Sequence, residues 1–246
     1  MSDVVPMTYP KMENLLKRDL AIPKMGYTAE HFRSKFMLQL QYAKCWWAVE
    51  KLDGMNMRVC FSREKDRFCF WGRTEKAQLP PQLVESMDEL FNGRIREHPD
   101  FEEAAWLVDG TTLFGEGVGP GIQKGGSDYG SVKHFVLFDI YNTRWLDWAD
   151  VKAFANHWSI PVAPDYGLDD IRSAFYLISL TPSSKYAIKS TGTRRPAEGV
   201  ILRPEHEMIG SYGDRVIAKL KYKDVSQALQ LEASRKIKEI NDGKEG

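Results

Sequence analysis

The chain has 246 residues, 43% hydrophobic and 12% aromatic, enough for one large domain or two small ones around a sizeable core. Its 34 basic and 34 acidic residues cancel, which excludes a uniformly positive coat for bulk nucleic-acid binding while leaving room for a local basic groove. No apolar run approaches the roughly 18 residues of a membrane span, and the N-terminal MSDVVPMTYPKMENLLKRDL has no apolar signal core. Three cysteines, Cys45, Cys60 and Cys69, without a CxxC pair, point to a reduced, cytoplasmic protein. The five histidines, His31, His98, His134, His157 and His206, show no metal-ligand spacing along the chain, so no zinc site is expected.

In chain order, residues 28–42 read as a helix with Thr28 as N-cap. CWWAVEK (45–51) reads as a strand, DG (53–54) as a turn, and MNMRVCF (55–61) and RFCFWGR (67–73) as further strands. Residues 80–95 form a helix opened by prolines, and 106–117 suggests two short strands. The Gly-rich 115–130 is expected to be a loop, 134–141 a buried strand, and 146–158 and 167–180 helices. Strands are expected at 198–204 and 215–223, then a short terminal helix at about 225–241. No repeat or linker divides the chain, so residues 1–246 are read as a single domain. The irregular alternation is that of an α+β fold with mostly antiparallel sheets.

Five stretches could carry chemistry. Lys51 ends an apolar strand with Val49 and Trp47 on its face, so it is either a strand-end lysine reaching for water or a partly desolvated amine made nucleophilic. Arg73, in WGRTE, suits a phosphate but is equally an ordinary surface arginine. Glu116 sits between glycines that would let a ligand approach, or in a surface loop. Alternation puts Glu198 on the face of Val200 and Leu202, where a carboxylate needs a lysine, a metal ion or metal-bound water, or simply salt-bridges a strand end. Lys219 and Lys221 share a strand face and repel unless they meet water or a shared anion such as a triphosphate.

Taken together and in this order, the stretches resemble the covalent nucleotidyltransferase superfamily of DNA ligases, RNA ligases and capping enzymes. EKLDGMN (50–56) is similar to its motif I, FGEG (114–117) to motif III, VLFDI (136–140) to motif IIIa, EGVIL (198–202) to motif IV and KLK (219–221) to motif V. The resemblance covers about residues 45–223 and leans to ATP-dependent RNA ligases of the nick-sealing type, because Asn56 stands where DNA ligases usually carry arginine.

The resemblance implies an adenylyltransferase domain, here without an OB-fold domain, since only about twenty residues follow Lys223 and those before Lys51 look too few and too helical. It implies ATP and Mg2+ (or Mn2+), and RNA ends or a nicked duplex as substrate. A protein partner would supply nucleic-acid contacts the short chain lacks. Lys51 would accept AMP, with Lys219 and Lys221 on the α-phosphate and favouring the neutral amine. Asn56 would orient the sugar or phosphate, Arg73 hold a phosphate, Glu116 bind the ribose, Phe138 stack on adenine, and Glu198 place a metal ion through water. Glu50 faces away from Lys51 in a regular strand. Lys124, Arg144, Arg194, Arg195 and Arg203 are candidates for polynucleotide backbone contacts. A minimal DNA ligase, a guanylyltransferase and a catalytically silent nucleic-acid-binding module are the alternatives.

Overall fold

The computed structural model describes residues 6–19, 26–32, 43–104, 110–211 and 213–226. In chain order these hold β1 (Glu13–Asn14), β2 (Leu16–Asp19), β3 (Gly26–Phe32), β4 (Trp46–Glu50), β5 (Met55–Ser62) and β6 (Arg67–Gly72). Helix α1 (Pro81–Asp88) runs into a π-helical stretch (Glu89–Ile95), followed by a 3-10 turn (Pro99–Phe101) and β7 (Thr112–Val118). Next come a 3-10 turn (Gly126–Tyr129), β8 (His134–Asn142), β9 (Arg144–Trp145), α2 (Trp148–His157) and β10 (Asp165–Asp169). Helices α3 (Ile171–Ser179) and α4 (Lys185–Thr191) precede β11 (Gly199–Pro204) and β12 (Ala218–Lys221). The fold is α+β with mostly antiparallel sheets, as the sequence pattern predicts.

The chain falls into two compact units, each threaded by separate segments. Unit 1 comprises Met1–Lys11, Leu52–Pro164 and Lys185–Arg195; unit 2 comprises Met12–Lys51, Asp165–Ser184 and Pro196–Gly246.

Unit 2 is built on a sheet in the order β1-β12-β11-β4-β10, in which only the β1–β12 pair is parallel. The pleat sends alternate side chains to opposite faces. Trp46, Ala48, Val200, Leu202, Ala218 and Leu220 occupy one face and pack with Ala174 and Ile178 of α3. The Asp170 carboxylate caps α3 by accepting from the Ser173 N–H at 2.8 Å, worth about 1 kcal/mol. The other face carries Lys219 and Lys221. Glu207 lies between Arg203 and Arg215, whose side chains are each 2% exposed. The Arg203 Nε donates to Glu207 Oε1 at 3.0 Å and the Arg215 Nε to Oε2 at 2.7 Å.

Unit 1 is built on the sheet β6-β5-β7-β8-β9. Leu83 and Met87 of α1 and Trp148, Val151 and Phe154 of α2 bury its apolar faces. Tyr9 packs edge-on against Phe114 and Trp145, and its hydroxyl donates to the buried Asp139 at 2.8 Å. Arg58, 1% exposed, donates to the carbonyls of Gly72 and Pro6 at 2.9 Å each.

Several expected elements differ. Residues 26–32 form a strand rather than the start of a helix, and 33–42 lie outside the described residues. Tyr27, Thr28 and Phe32 favour strands, and pairing with β2 outweighs the local helical period. The regular elements described before Lys51 are all strands, β1 to β4. The expected helix at 167–180 begins only at Ile171, because Asp165–Asp169 pairs with β4. Of the two short strands expected at 106–117, residues 106–109 lie outside the described residues; β7 occupies the rest and absorbs the first glycines of the expected loop. The strand expected at 215–223 is confined to β12, and α4 was not foreseen. Helix runs through 222–226, and the remainder of the expected terminal helix lies outside the described residues.

Candidate active site

Lys51 follows the last residue of β4, and its N–H donates to the Gly199 carbonyl at 2.9 Å. Gly199 in turn pairs with Lys221 on β12. Lys51 and Lys221 thus stand in one row across three strands, while Lys219 sits one pleat away, opposite Ile201. A Cβ on Gly199 would meet the Leu220 carbonyl oxygen at 2.3 Å, so only glycine allows this approach of β11 to β12.

Glu198 completes the row. Its Oε2 accepts from Lys51 Nζ at 2.5 Å and its Oε1 contacts Lys221 Nζ at 2.6 Å. Simple alternation predicts Glu198 on the face of Val200 and Leu202, but those two lie in the core while Glu198 meets the lysines. Glu198 precedes the strand rather than belonging to it, so the pleat does not govern its direction.

The three side chains are only about one-fifth exposed. Burial alone would push the Glu198 carboxyl up, but Lys51 and Lys221 outweigh it and hold it below the usual glutamate range. A depressed folded-state value means that the stabilisation from ionised Glu198 is complete above about pH 4.3 and is lost as pH falls through the lower folded value. Thermal unfolding of wild type and Glu198→Gln across pH will therefore show a gap that is full at neutral pH and narrows in acid. A gap that widens in acid would contradict this sign.

Glu50 lies beside Lys51 but is 2% exposed. Its carboxylate accepts from the Ser184 hydroxyl and, at 3.4 Å, from the Tyr166 hydroxyl. Sequence reasoning set Glu50 aside, and only these distant partners reveal it as an anchor for the end of β4.

The other predicted residues belong to unit 1. Asn56 on β5 pairs with Glu116 on β7. The Asn56 Oδ1 is buried and has no hydrogen-bond partner among the described residues. Glu116 Oε1 accepts from the Gly54 N–H at 3.2 Å. A Cβ at Gly54 would meet the Gly117 carbonyl oxygen at 2.2 Å, which explains why the chain places glycine soon after the lysine. Packing requires the glycines around Glu116: a Cβ at Gly115 would strike the Phe135 ring at 2.2 Å, and one at Gly117 would strike Leu83 at 2.6 Å. Phe138 falls at the register shift between β7 and β8, where Phe114 faces Asp139 and Gly115 faces Leu137. Such a bulge re-aims a side chain, and Phe138 is half-buried with Tyr9 edge-on at 5.2 Å. Arg73 is exposed just past β6.

Two residues proposed for polynucleotide contacts have structural duties instead. Arg203 is committed to Glu207. Arg195 donates to the Gly125 carbonyl at 2.8 Å and lies over the Tyr129 ring at 4.9 Å. The Tyr129 hydroxyl accepts from the Asp53 N–H at 3.3 Å, so Arg195 braces the loop that holds the residues after Lys51. Lys124, Arg144 and Arg194 are exposed.

The family model for RNA ligases matches residues 44–221. The chain belongs to the RNA ligase family. No curated protein matches this RNA ligase family member in sequence. Solved structures resemble it in fold. A Naegleria gruberi RNA ligase with pyrophosphate is 17% identical with a TM-score of 0.51, covering 87% of this chain and 61% of its own. An archaeal ATP-dependent RNA ligase is 19% identical with a TM-score of 0.54, covering 92% of this chain and 50% of its own. A variant of the Naegleria RNA ligase with ATP and manganese is 15% identical with a TM-score of 0.51, covering 92% and 64%. This family member thus spans half to two-thirds of the length of those ligases.

Proposed function

We propose that this chain is an ATP-dependent RNA ligase, joining a 3′-OH to a 5′-phosphate through lysyl-AMP and RNA-adenylate intermediates, and that it works as one nucleotidyltransferase domain in the cytoplasm. The observation that carries the proposal is the Glu198 carboxylate held between Lys51 at 2.5 Å and Lys221 at 2.6 Å. An ordinary strand-end ion pair needs one lysine. Two lysines on one carboxylate leave an excess positive charge, which suits an incoming phosphate.

In the first step the Lys51 amine loses a proton and attacks the α-phosphate of ATP. The N–P bond forms and the bond to pyrophosphate breaks. Glu198 is hydrogen-bonded to that amine and orients it, and the proton leaves to solvent. Lys219 and Lys221 stabilise charge on the α-phosphate oxygens. AMP then moves to the RNA 5′-phosphate, and the 3′-OH attacks that phosphate and expels AMP.

Glu116 is assigned to the ribose, Phe138 to the adenine, Arg73 to a phosphate and Asn56, with its unpartnered buried oxygen, to orienting the nucleotide. Glu198 offers hard oxygen donors that suit Mg2+ or Mn2+, and adenylylation of Lys51 removes the charge of one of its two partners. The ion would offset phosphate charge. RNA ends or a nicked duplex are the substrate. Lys124, Arg144 and Arg194 are its phosphate contacts, and a protein partner would add to that grip.

Incubation with ATP and Mg2+, without nucleic acid, will add one AMP to the intact mass, and the charged protein will seal a nick with RNA on the 3′-OH side faster than one with DNA. A GMP adduct from GTP would move the reading to capping, and sealing of DNA alone to a DNA ligase. Protein that enters the assay unmodified and takes up neither nucleotide would end the proposal.

A further inference from the structure

We propose that His98, Asp100 and His157 form a binding site for a divalent transition-metal ion of the zinc type. One donor atom from each lies within 4.8 Å of the others. Asp100 Oδ2 is 3.1 Å from His157 Nε2 and 3.8 Å from His98 Nδ1. Ligand bonds of 2.0–2.1 Å in a tetrahedral zinc site put neighbouring donors about 3.4 Å apart, so small side-chain rotations close the set around an ion. Two imidazoles and one carboxylate favour zinc-like ions over Mg2+, which prefers oxygen.

The donors are held in place before any ion arrives. His157 is the last residue of α2, and His98 directly precedes the 3-10 turn Pro99–Phe101. The Asp100 N–H donates to His98 Nδ1 at 3.2 Å, so that nitrogen carries a lone pair, and an ion bound there would take the place of this N–H. The Trp158 ring meets both imidazoles edge-on, with centroids at 5.2 Å from His98 and 4.8 Å from His157. A cavity of about 490 Å3, lined by Asp100, His157 and Trp158, also presents Glu103 and Asp150, so water or a further carboxylate can complete the coordination.

The three side chains are 39%, 48% and 50% exposed, which leaves them open to an ion from solution. None belongs to the residues assigned to nucleotidyl transfer. The site is structural: a bound ion would tie the 3-10 turn to the end of α2. Spacing along the chain suggested no zinc site, because the two histidines come from elements far apart in sequence that only the fold brings together.

Cobalt(II), a visible-spectrum stand-in for zinc, tests the site in the full-length protein. Wild type will bind one equivalent with the d–d absorption of a four-coordinate ion, and zinc will bleach it. Glu198→Ala will retain the band, which separates this site from any metal at Glu198. His98→Ala and His157→Ala will weaken binding by roughly tenfold or more, and zinc will raise the Tm of wild type but not of His157→Ala. Asp100→Asn, which changes no volume, reads the same loss if either histidine variant misfolds. Absence of the band in wild type, or wild-type affinity in the folded variants, would overturn the site and leave Asp100–His157 as a plain ion pair.

Discussion

Lys51→Ala will take up no AMP, and strand joining will fall by a factor on the order of 10^4 or more, because the covalent intermediate has no other acceptor. Lys51→Arg will be as inactive. A guanidinium stays charged at any working pH and has no free amine to attack phosphorus. Both variants will remain folded. Lys51 is 22% exposed on its side chain, and its removal leaves Glu198 paired with Lys221 at 2.6 Å. The measurement is intact mass after ATP and Mg2+, beside a circular-dichroism melt. An AMP adduct on folded Lys51→Ala would move the nucleophile elsewhere.

Glu207→Gln will cost about 3–5 kcal/mol of stability. Arg203 and Arg215 each have side chains 2% exposed, and Glu207 is the carboxylate that both meet. Glutamine fills the same space but carries no charge, so both buried ion pairs to residue 207 are lost. Urea denaturation will report a lower midpoint with an unchanged m-value. A loss below about 1 kcal/mol would mean that water or another acidic group takes over the neutralisation.

The strands were legible where side-chain alternation and aromatic content agree, as in Trp46–Glu50, Met55–Ser62 and His134–Asn142. They were not legible where a local period misleads. Residues 28–42 read as a helix opened by Thr28, and only pairing with Leu16–Asp19 shows that Gly26–Phe32 is a strand. The residue types and their order singled out Lys51, Glu198 and Lys221, which the structure brings together, but not the direction of Glu198. That direction depends on its lying before the strand and next to Gly199, whose missing side chain lets β12 come close. Arg195 and Arg203 looked like surface cations because charge in a sequence does not reveal a partner such as Tyr129 or Glu207. Glu50 was set aside because it faces away from Lys51 in a regular strand, and its partners Ser184 and Tyr166 lie more than a hundred residues away, beyond the reach of local pattern.

The row Lys51–Glu198–Lys221 also bears on when the chain becomes competent during synthesis. Its members are supplied by β4, the entry to β11, and β12, which are neighbours in the sheet but remote along the chain. Contacts between distant segments form late, after the loop-closure entropy has been met. If Lys51 is the nucleophile proposed above, a nascent chain that has exposed it holds that nucleophile unassembled until β12 has left the ribosome and docked. Self-adenylylation would then act as a timer for folding: stalled chains released before Lys221 should stay unmodified in ATP, and the modification should appear only with the last strand of the sheet.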